Sequence, residues 1–164
     1  MIYGGDEIDR VFGEAGNDTL YGGADSDILY GNLDTDQLYG DDGDDVLYGG
    51  QGIDYVRGSF GNDVLYGNRD NDTVFGGDGA DTLYGGQGDD WLSGGDGSNV
   101  LFGGDGVDTA DYSGFNFSIV AGIESGTVLF GAETDTILSI ENIVTGSGGD
   151  YLTGSATNNR LDGG

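Results

Sequence analysis

The sequence predicts an all-β fold in which short strands stack into a flattened coil, with 18 residues in each full turn. A nine-residue pattern recurs twelve times without interruption from Gly4 to Asp111, and a period this strict is typical of stacked identical units. Position one of every copy is Gly, and position eight is Val, Leu or Ala. The last three residues of a copy, such as Thr19-Leu20-Tyr21, favour a short strand. The glycine-containing first six residues favour a tight turn, so two copies close one coil.

Position eight is expected to form the interior of this coil. Successive side chains of a strand point to opposite faces, so the residues from Val11 and Leu20 to Leu101 face inward, and positions seven and nine face outward. One buried aliphatic side chain contributes roughly 1.5–3 kcal/mol, whereas ordering nine residues costs about 1–2 kcal/mol for each. The core is therefore too thin to hold the fold alone.

The charge pattern indicates what else is needed. The chain has 31 acidic residues, four arginines and no lysine, histidine or cysteine, which gives a net charge of −27. Position six is Asp in eleven copies and Asn99 in the other. Copies two apart lie on the same edge of the coil, about 4.8 Å from each other, and carboxylates that close repel unless they are protonated or bridged by a cation. Carboxylate and turn carbonyl oxygens form an all-oxygen ligand set, which favours calcium over zinc, copper or magnesium.

The predicted metal ligands form one column on each edge. They are Asp9, Asp27, Asp45, Asp63, Asp81 and Asn99 on one edge, and Asp18, Asp36, Asp54, Asp72, Asp90 and Asp108 on the other. Each column has five gaps, a gap being the space between the ligands of two successive coils, and ten gaps predict about ten calcium ions. Their charge would leave the domain with a net charge of about −7. The gap at Asn99 is expected to be among the weakest, because the amide carries no charge.

Four copies have an acid at position four, where the pattern otherwise has Gly. We expect these carboxylates to join the neighbouring sites, because they lie in the same turn as position six; the alternative is that they are tolerated surface acids. They are Glu7, Asp25, Asp34 and Asp70.

The pattern G-G-x-G-x-D-x-U-x, in which U is aliphatic, resembles that of the RTX (repeats-in-toxin) proteins over residues 4–111. The resemblance implies a calcium-loaded parallel β-roll that belongs to a larger secreted bacterial protein, such as a toxin, adhesin or extracellular enzyme. It also implies type I secretion, a chain that is disordered without calcium and folds outside the cell, and a role in the export and stability of attached domains.

Three regions are expected along the chain. Residues 1–111 form the roll, residues 112–145 an irregular β segment that flanks or caps it, and residues 146–164 two degenerate repeats that resume it. Strand-like runs in the middle region are Phe115–Val120, Thr127–Phe130 and Thr136–Val144. Because both ends read as partial copies, we expect a fragment whose partners include the neighbouring repeat blocks of the parent chain.

Residue types that the chain lacks argue against several functions. Without histidine or lysine there is no His-based triad, no HExxH zinc site and no P-loop lysine, so we expect no enzyme in this segment, although the parent protein could carry an enzymatic or toxin domain. The strong negative charge argues against nucleic acid and anionic membranes as direct partners. No apolar run is long enough to span a membrane.

Calcium does not explain an aromatic stripe at position nine of the odd-numbered copies. One interpretation is that stacked rings strengthen the strand ladder. The alternatives are a protein contact, including self-association, and an adhesion or carbohydrate-binding face. The stripe consists of Phe12, Tyr30, Tyr48, Tyr66, Tyr84 and Phe102.

Overall fold

The computed structural model describes all residues from Met1 to Gly164, and it consists of strands and turns without any helix. The strands that follow the nonapeptide period are β1 (Ile2–Gly5), β2 (Arg10–Ala15), β3 (Thr19–Ala24), β4 (Ile28–Leu33), β5 (Gln37–Asp42), β6 (Val46–Gln51), β7 (Tyr55–Phe60), β8 (Val64–Arg69), β9 (Thr73–Asp78), β10 (Thr82–Gln87), β11 (Trp91–Asp96), β12 (Val100–Asp105) and β13 (Thr109–Tyr112). The remaining strands are β14 (Ile119–Gly122), β15 (Thr127–Phe130), β16 (Glu133–Leu138), β17 (Asn142–Thr145), β18 (Tyr151–Thr153) and β19 (Arg160–Asp162). A helix long and apolar enough to cross a membrane is therefore absent.

Successive strands of the repeat region alternate between two sheets. One sheet has nine strands in the order β1-β3-β5-β7-β9-β11-β13-β17-β19, and the other has ten in the order β18-β14-β15-β16-β12-β10-β8-β6-β4-β2. Pairing between repeats is parallel with an offset of one coil, so that Leu29 pairs with Leu47 and Leu47 with Leu65. The predicted all-β class and the parallel coil of two nonapeptides per turn are confirmed.

The strands are longer, and the turns shorter, than the sequence predicted. A typical strand has six residues, as in Ile28–Leu33, and runs from position seven to position three of the next copy. The prediction of three-residue strands was wrong because the strand continues through the expected turn. Position two adopts a positive φ, 79° at Asn32 and 121° at Gly50. The chain bends there while the ladder continues, and these two residues are themselves paired.

The inward-facing positions of each copy are six, eight and one. Asp45, Leu47 and Gly49 are all buried, whereas the intervening Val46 and Tyr48 are half-buried. The position-eight side chains from Leu20 to Leu101 are fully buried, and the two sheets together place them in a single core cluster. The interior of one coil therefore holds two aliphatic side chains, two position-six side chains and two glycines.

The aromatic stripe is a continuous stack of six rings. Neighbouring ring centroids from Phe12 to Phe102 are 4.7–5.0 Å apart, and adjacent ring planes are within 6° of parallel. Each internal ring is therefore covered on both faces by its neighbours.

The segment after Tyr112 continues both sheets and inserts a hairpin into one of them. β16 pairs in parallel with β12, and β17 pairs in parallel with β13. β14 and β15 add to β16 in antiparallel fashion, and β18 and β19 then pair in parallel with β14 and β17. Large buried side chains thicken the core here, among them Tyr112, Ile119, Phe130 and Ile137.

Two of the predicted strand runs in this segment differ from the structure. The first strand starts at Ile119 rather than Phe115, because Phe115 packs in a turn with its ring centroid 5.1 Å from that of Phe130 and 5.2 Å from that of Phe117. The run Thr136–Val144 contains parts of two strands, β16 and β17, which belong to different sheets.

Candidate metal centre

The position-six side chains lie in two columns, one at each edge of the roll. In each column the Oδ1 oxygen of one residue accepts a hydrogen bond from the backbone N–H of the position-six residue one coil earlier. The N–H of Asp45 donates to Asp63 and that of Asp54 donates to Asp72, both at 2.8 Å. The same bond, 2.7–2.9 Å long, joins every successive pair from Asp9 to Asn99 and from Asp18 to Asp108.

The second carboxylate oxygen, Oδ2, is buried without a hydrogen-bond partner in most of these side chains. Each of these residues is at most 2% exposed. Burying a charged oxygen without a partner is costly, so each of them is an acceptor that a cation would satisfy. The nine residues are Asp27, Asp36, Asp45, Asp54, Asp63, Asp72, Asp81, Asp90 and Asp108.

The glycine at position one leaves room for this oxygen. A Cβ atom on Gly22 would lie 2.6 Å from Asp27 Oδ2 and 2.6 Å from the carbonyl oxygen of Gly40, which belongs to the next coil. At Gly49 the corresponding distances, to Asp54 Oδ2 and to the carbonyl oxygen of Gly67, are 2.7 Å and 2.8 Å. A carboxylate oxygen and a main-chain carbonyl oxygen therefore approach the same point, and any side chain at position one would displace them.

Burial raises the pKa of the nine buried aspartates in the two columns. The pKa is about 7 for Asp45, about 7 for Asp63 and about 8 for Asp72. Loss of hydration is the largest cause, and neighbouring carboxylates of the same column raise these pKa values further. Near neutral pH the carboxyls of Asp45, Asp63 and Asp72 are therefore close to their midpoints, and a bound cation would favour their ionised form.

The position-four acids are exposed at the turns. Their φ angles are positive, between 71° and 79°. Where they make hydrogen bonds the partners are main-chain groups, since Asp34 accepts the N–H of Gly16 at 3.0 Å and Asp70 that of Gly52 at 3.1 Å. No group of three acidic side chains converges in the structure, so a metal ion would depend on main-chain carbonyls as well. That Glu7, Asp25, Asp34 and Asp70 join the metal sites stays a prediction.

Two residues outside the nonapeptide pattern extend the columns. The N–H of Asn99 donates to Asp135 Oδ1 at 2.7 Å, and the N–H of Asp108 donates to Glu141 Oε2 at 2.9 Å. The sequence analysis missed both. An aliphatic residue follows each of them two positions later, as in the repeats, and this short acid-x-aliphatic pattern was the available signal.

Comparison with known proteins agrees with the nonapeptide repeat and with the coil. A family model that describes four copies of the RTX calcium-binding nonapeptide repeat matches residues 3–38, 31–56, 39–74, 48–83, 75–110 and 139–164. These ranges together cover well over half of the chain. A search of curated proteins gave no match. The chain therefore belongs to the RTX calcium-binding nonapeptide repeat family.

Proposed function

We propose that this segment is a calcium-responsive structural module that is disordered without calcium and folds when about ten ions bind. The nonapeptide repeats imply calcium binding by a β-roll. The observation that supports the folding step is the set of nine buried carboxylate oxygens without a partner. Such a set is unfavourable in a metal-free coil at neutral pH.

The proposed ligands are the position-six side chains of both columns together with turn carbonyl oxygens. The donor set fits calcium because it consists of oxygen atoms alone, supplied by flexible turns. The bound ions would supply the positive charge that a chain of net charge −27 lacks. This chain's residues hold the carboxylates in register through the Oδ1 hydrogen bonds and leave Oδ2 free for the ion.

Within a secreted parent protein, this coupling gives the module a location-dependent fold. Low calcium inside the cell would keep the chain extended for type I secretion, and higher external calcium would fold it. The folded roll would then support the stability of attached domains and of neighbouring repeat blocks.

The test is far-UV circular dichroism of the segment in EGTA and during calcium titration, with magnesium as the matched control. The fluorescence of Trp91, the only tryptophan, gives a second probe of folding. We expect little β-structure in EGTA, a cooperative gain with calcium and a much weaker response to magnesium. A full β-spectrum in EGTA would refute the proposal.

The aromatic stripe offers less support for a binding function. Aromatic side chains that bind sugars stack their ring faces against the sugar ring, whereas the internal rings of this stripe have both faces covered at centroid distances of 4.7–5.0 Å. Stacked cross-strand aromatic pairs stabilise a ladder, and that role accounts for the stripe without a partner.

A further inference from the structure

We propose that the two carboxylate columns end differently: a calcium ion binds between Asp108 and Glu141, beyond the last complete nonapeptide, and none binds between Asn99 and Asp135. This inference rests on the proposed calcium function of the repeats. It concerns the two gaps at which the nonapeptide pattern gives way to the C-terminal segment.

Glu141 takes the structural place of a position-six aspartate. Its Oε2 accepts the N–H of Asp108 at 2.9 Å, as the next aspartate does within the repeats. The N–H of Asn142 donates to the carbonyl oxygen of Asp108 at 2.9 Å, which repeats the 2.9 Å bond from the N–H of Thr109 to the carbonyl of Asp90. The column therefore continues through this gap although the chain separation, 33 residues, is not that of the repeat.

The gap between Asp108 and Glu141 keeps the buried carboxylate oxygen without a hydrogen-bond partner that characterises the repeats. Asp108 is 0% exposed, and its Oδ2 has no hydrogen-bond partner. Asp108 Oδ2 and the carbonyl oxygen of Ser139 are the two atoms nearest to a Cβ built on Gly103, so Ser139 supplies the carbonyl that a position-one glycine supplies elsewhere. A carboxylate oxygen, a carbonyl oxygen and a second carboxylate one coil away form the same all-oxygen donor set.

The gap between Asn99 and Asp135 has no such oxygen. Asn99 Oδ1 accepts the N–H of Asp81 at 2.9 Å, so the other side-chain atom, Nδ2, points towards Gly94. Nδ2 lies 2.5 Å from a Cβ built on Gly94, which is the place that Oδ2 of the aspartate takes in the other repeats. Asp135 Oδ2 accepts a buried hydrogen bond of 2.8 Å from the Tyr112 hydroxyl. An amide N–H group therefore replaces one ligand, and a phenol occupies the other.

The experiment counts bound calcium ions by native mass spectrometry and equilibrium dialysis on the full chain. Glu141→Gln should bind one ion fewer than the wild-type chain, whereas the matched variant Asp135→Asn should bind the same number. Trp91 fluorescence in saturating calcium verifies that each variant folds. An unchanged count in folded Glu141→Gln, or the loss of an ion in Asp135→Asn, overturns the inference. A wild-type chain that binds no calcium refutes the proposed function instead.

A gain-of-site variant keeps the test informative if Glu141→Gln does not fold. Asn99→Asp combined with Tyr112→Phe restores a carboxylate at one side of the closed gap and frees Asp135 Oδ2 at the other. This double variant should bind one ion more than the wild-type chain. If it folds in calcium and gains none, the Asn99 amide and the Tyr112 hydroxyl are not what excludes the ion.

Discussion

Replacing Asp63 by Asn is expected to change the metal-free fold and calcium binding in opposite directions. Asn keeps an Oδ1 oxygen that can accept the N–H of Asp45, now at 2.8 Å, as Asn99 does for Asp81 at 2.9 Å. It replaces the buried, partnerless Oδ2 by an uncharged NH₂ group. The substitution therefore removes the charge that opposes the metal-free coil together with the oxygen that would bind calcium.

The magnitude follows from the pKa of the Asp63 carboxyl group. Burial raises this pKa from its ordinary value of 3.8 to about 7, a difference equivalent to about 4 kcal/mol of lost stability at neutral pH. Relaxation of the surrounding chain and water penetration reduce this energy, so we expect the Asn variant to stabilise the metal-free coil by about 2 kcal/mol. Calcium affinity should fall about tenfold or more, since loss of even an outer-shell partner of a metal ligand costs that much.

Trimethylamine N-oxide favours compact states without metal, so a titration with it in EGTA, followed by circular dichroism, measures the first effect. Asp63→Asn should fold at a lower osmolyte concentration than the wild-type chain. Without osmolyte, it should need a higher calcium concentration to fold. Asp63→Ala is the control: it also loses the charge, but it leaves the N–H of Asp45 unpaired at a cost of about 1–3 kcal/mol. An Asn variant that needs as much osmolyte as wild type, or binds calcium equally well, refutes the reasoning.

Three further predictions concern pH, position one and the aromatic stack. In EGTA the β-signal measured by circular dichroism should increase as pH falls from about 8 to about 4. A carboxyl whose pKa is raised on folding, such as that of Asp72 from 3.8 to about 8, stabilises the coil below the unfolded pKa and loses that contribution as pH rises through the folded pKa. A flat pH profile contradicts this. Gly49→Ala should raise severalfold the calcium concentration at the midpoint of folding, because its Cβ would lie 2.7 Å from Asp54 Oδ2. The control Gly114→Ala, whose Cβ would have no atom within 4 Å, should leave that midpoint unchanged. Equal midpoints would contradict the idea that position one must leave space for Oδ2. Tyr48→Ser should leave the calcium requirement for folding nearly unchanged and lower stability by about 0.5–1.5 kcal/mol for each lost aromatic pair, measured by thermal unfolding in calcium; sedimentation in calcium that detects a wild-type dimer lost in this variant would instead reveal an interface.

The nonapeptide region could be predicted closely because each constraint repeats. One offset, 18 residues, places Leu29 beside Leu47 and Asp45 beside Asp63, so the register follows from the period alone. Strand length could not be read in the same way. The glycines among the first six residues of each copy suggested a turn, yet a positive φ at one residue bends a strand without ending its ladder.

The C-terminal end of the columns could not be predicted because its pairings skip the inserted hairpin. Asn99 meets Asp135 at a separation of 36 residues and Asp108 meets Glu141 at 33, and no local pattern specifies either number. The bond from Tyr112 to Asp135 depends in turn on the buried packing of Tyr112 against Phe130, whose ring centroids are 5.7 Å apart. Side-chain contacts of this kind become visible only once the hairpin has been placed.

The proposed calcium dependence of this fold would be a property of the inward-facing positions rather than of any single site. Position eight supplies one buried aliphatic side chain per copy, position one supplies space, and position six supplies a carboxylate whose Oδ1 is used by the backbone and whose Oδ2 is not. The Oδ1 bond requires only an acceptor, which Asn99 also provides. An aspartate at the other eleven copies is therefore unnecessary for the ladder itself, and its added charge makes the metal-free coil less stable. The residue that best fits a metal-independent roll would be asparagine, whose stacked side chains stabilise other parallel ladders. Under the proposed function, the consistent use of aspartate lowers the stability of the metal-free coil and makes folding respond to calcium along the whole axis.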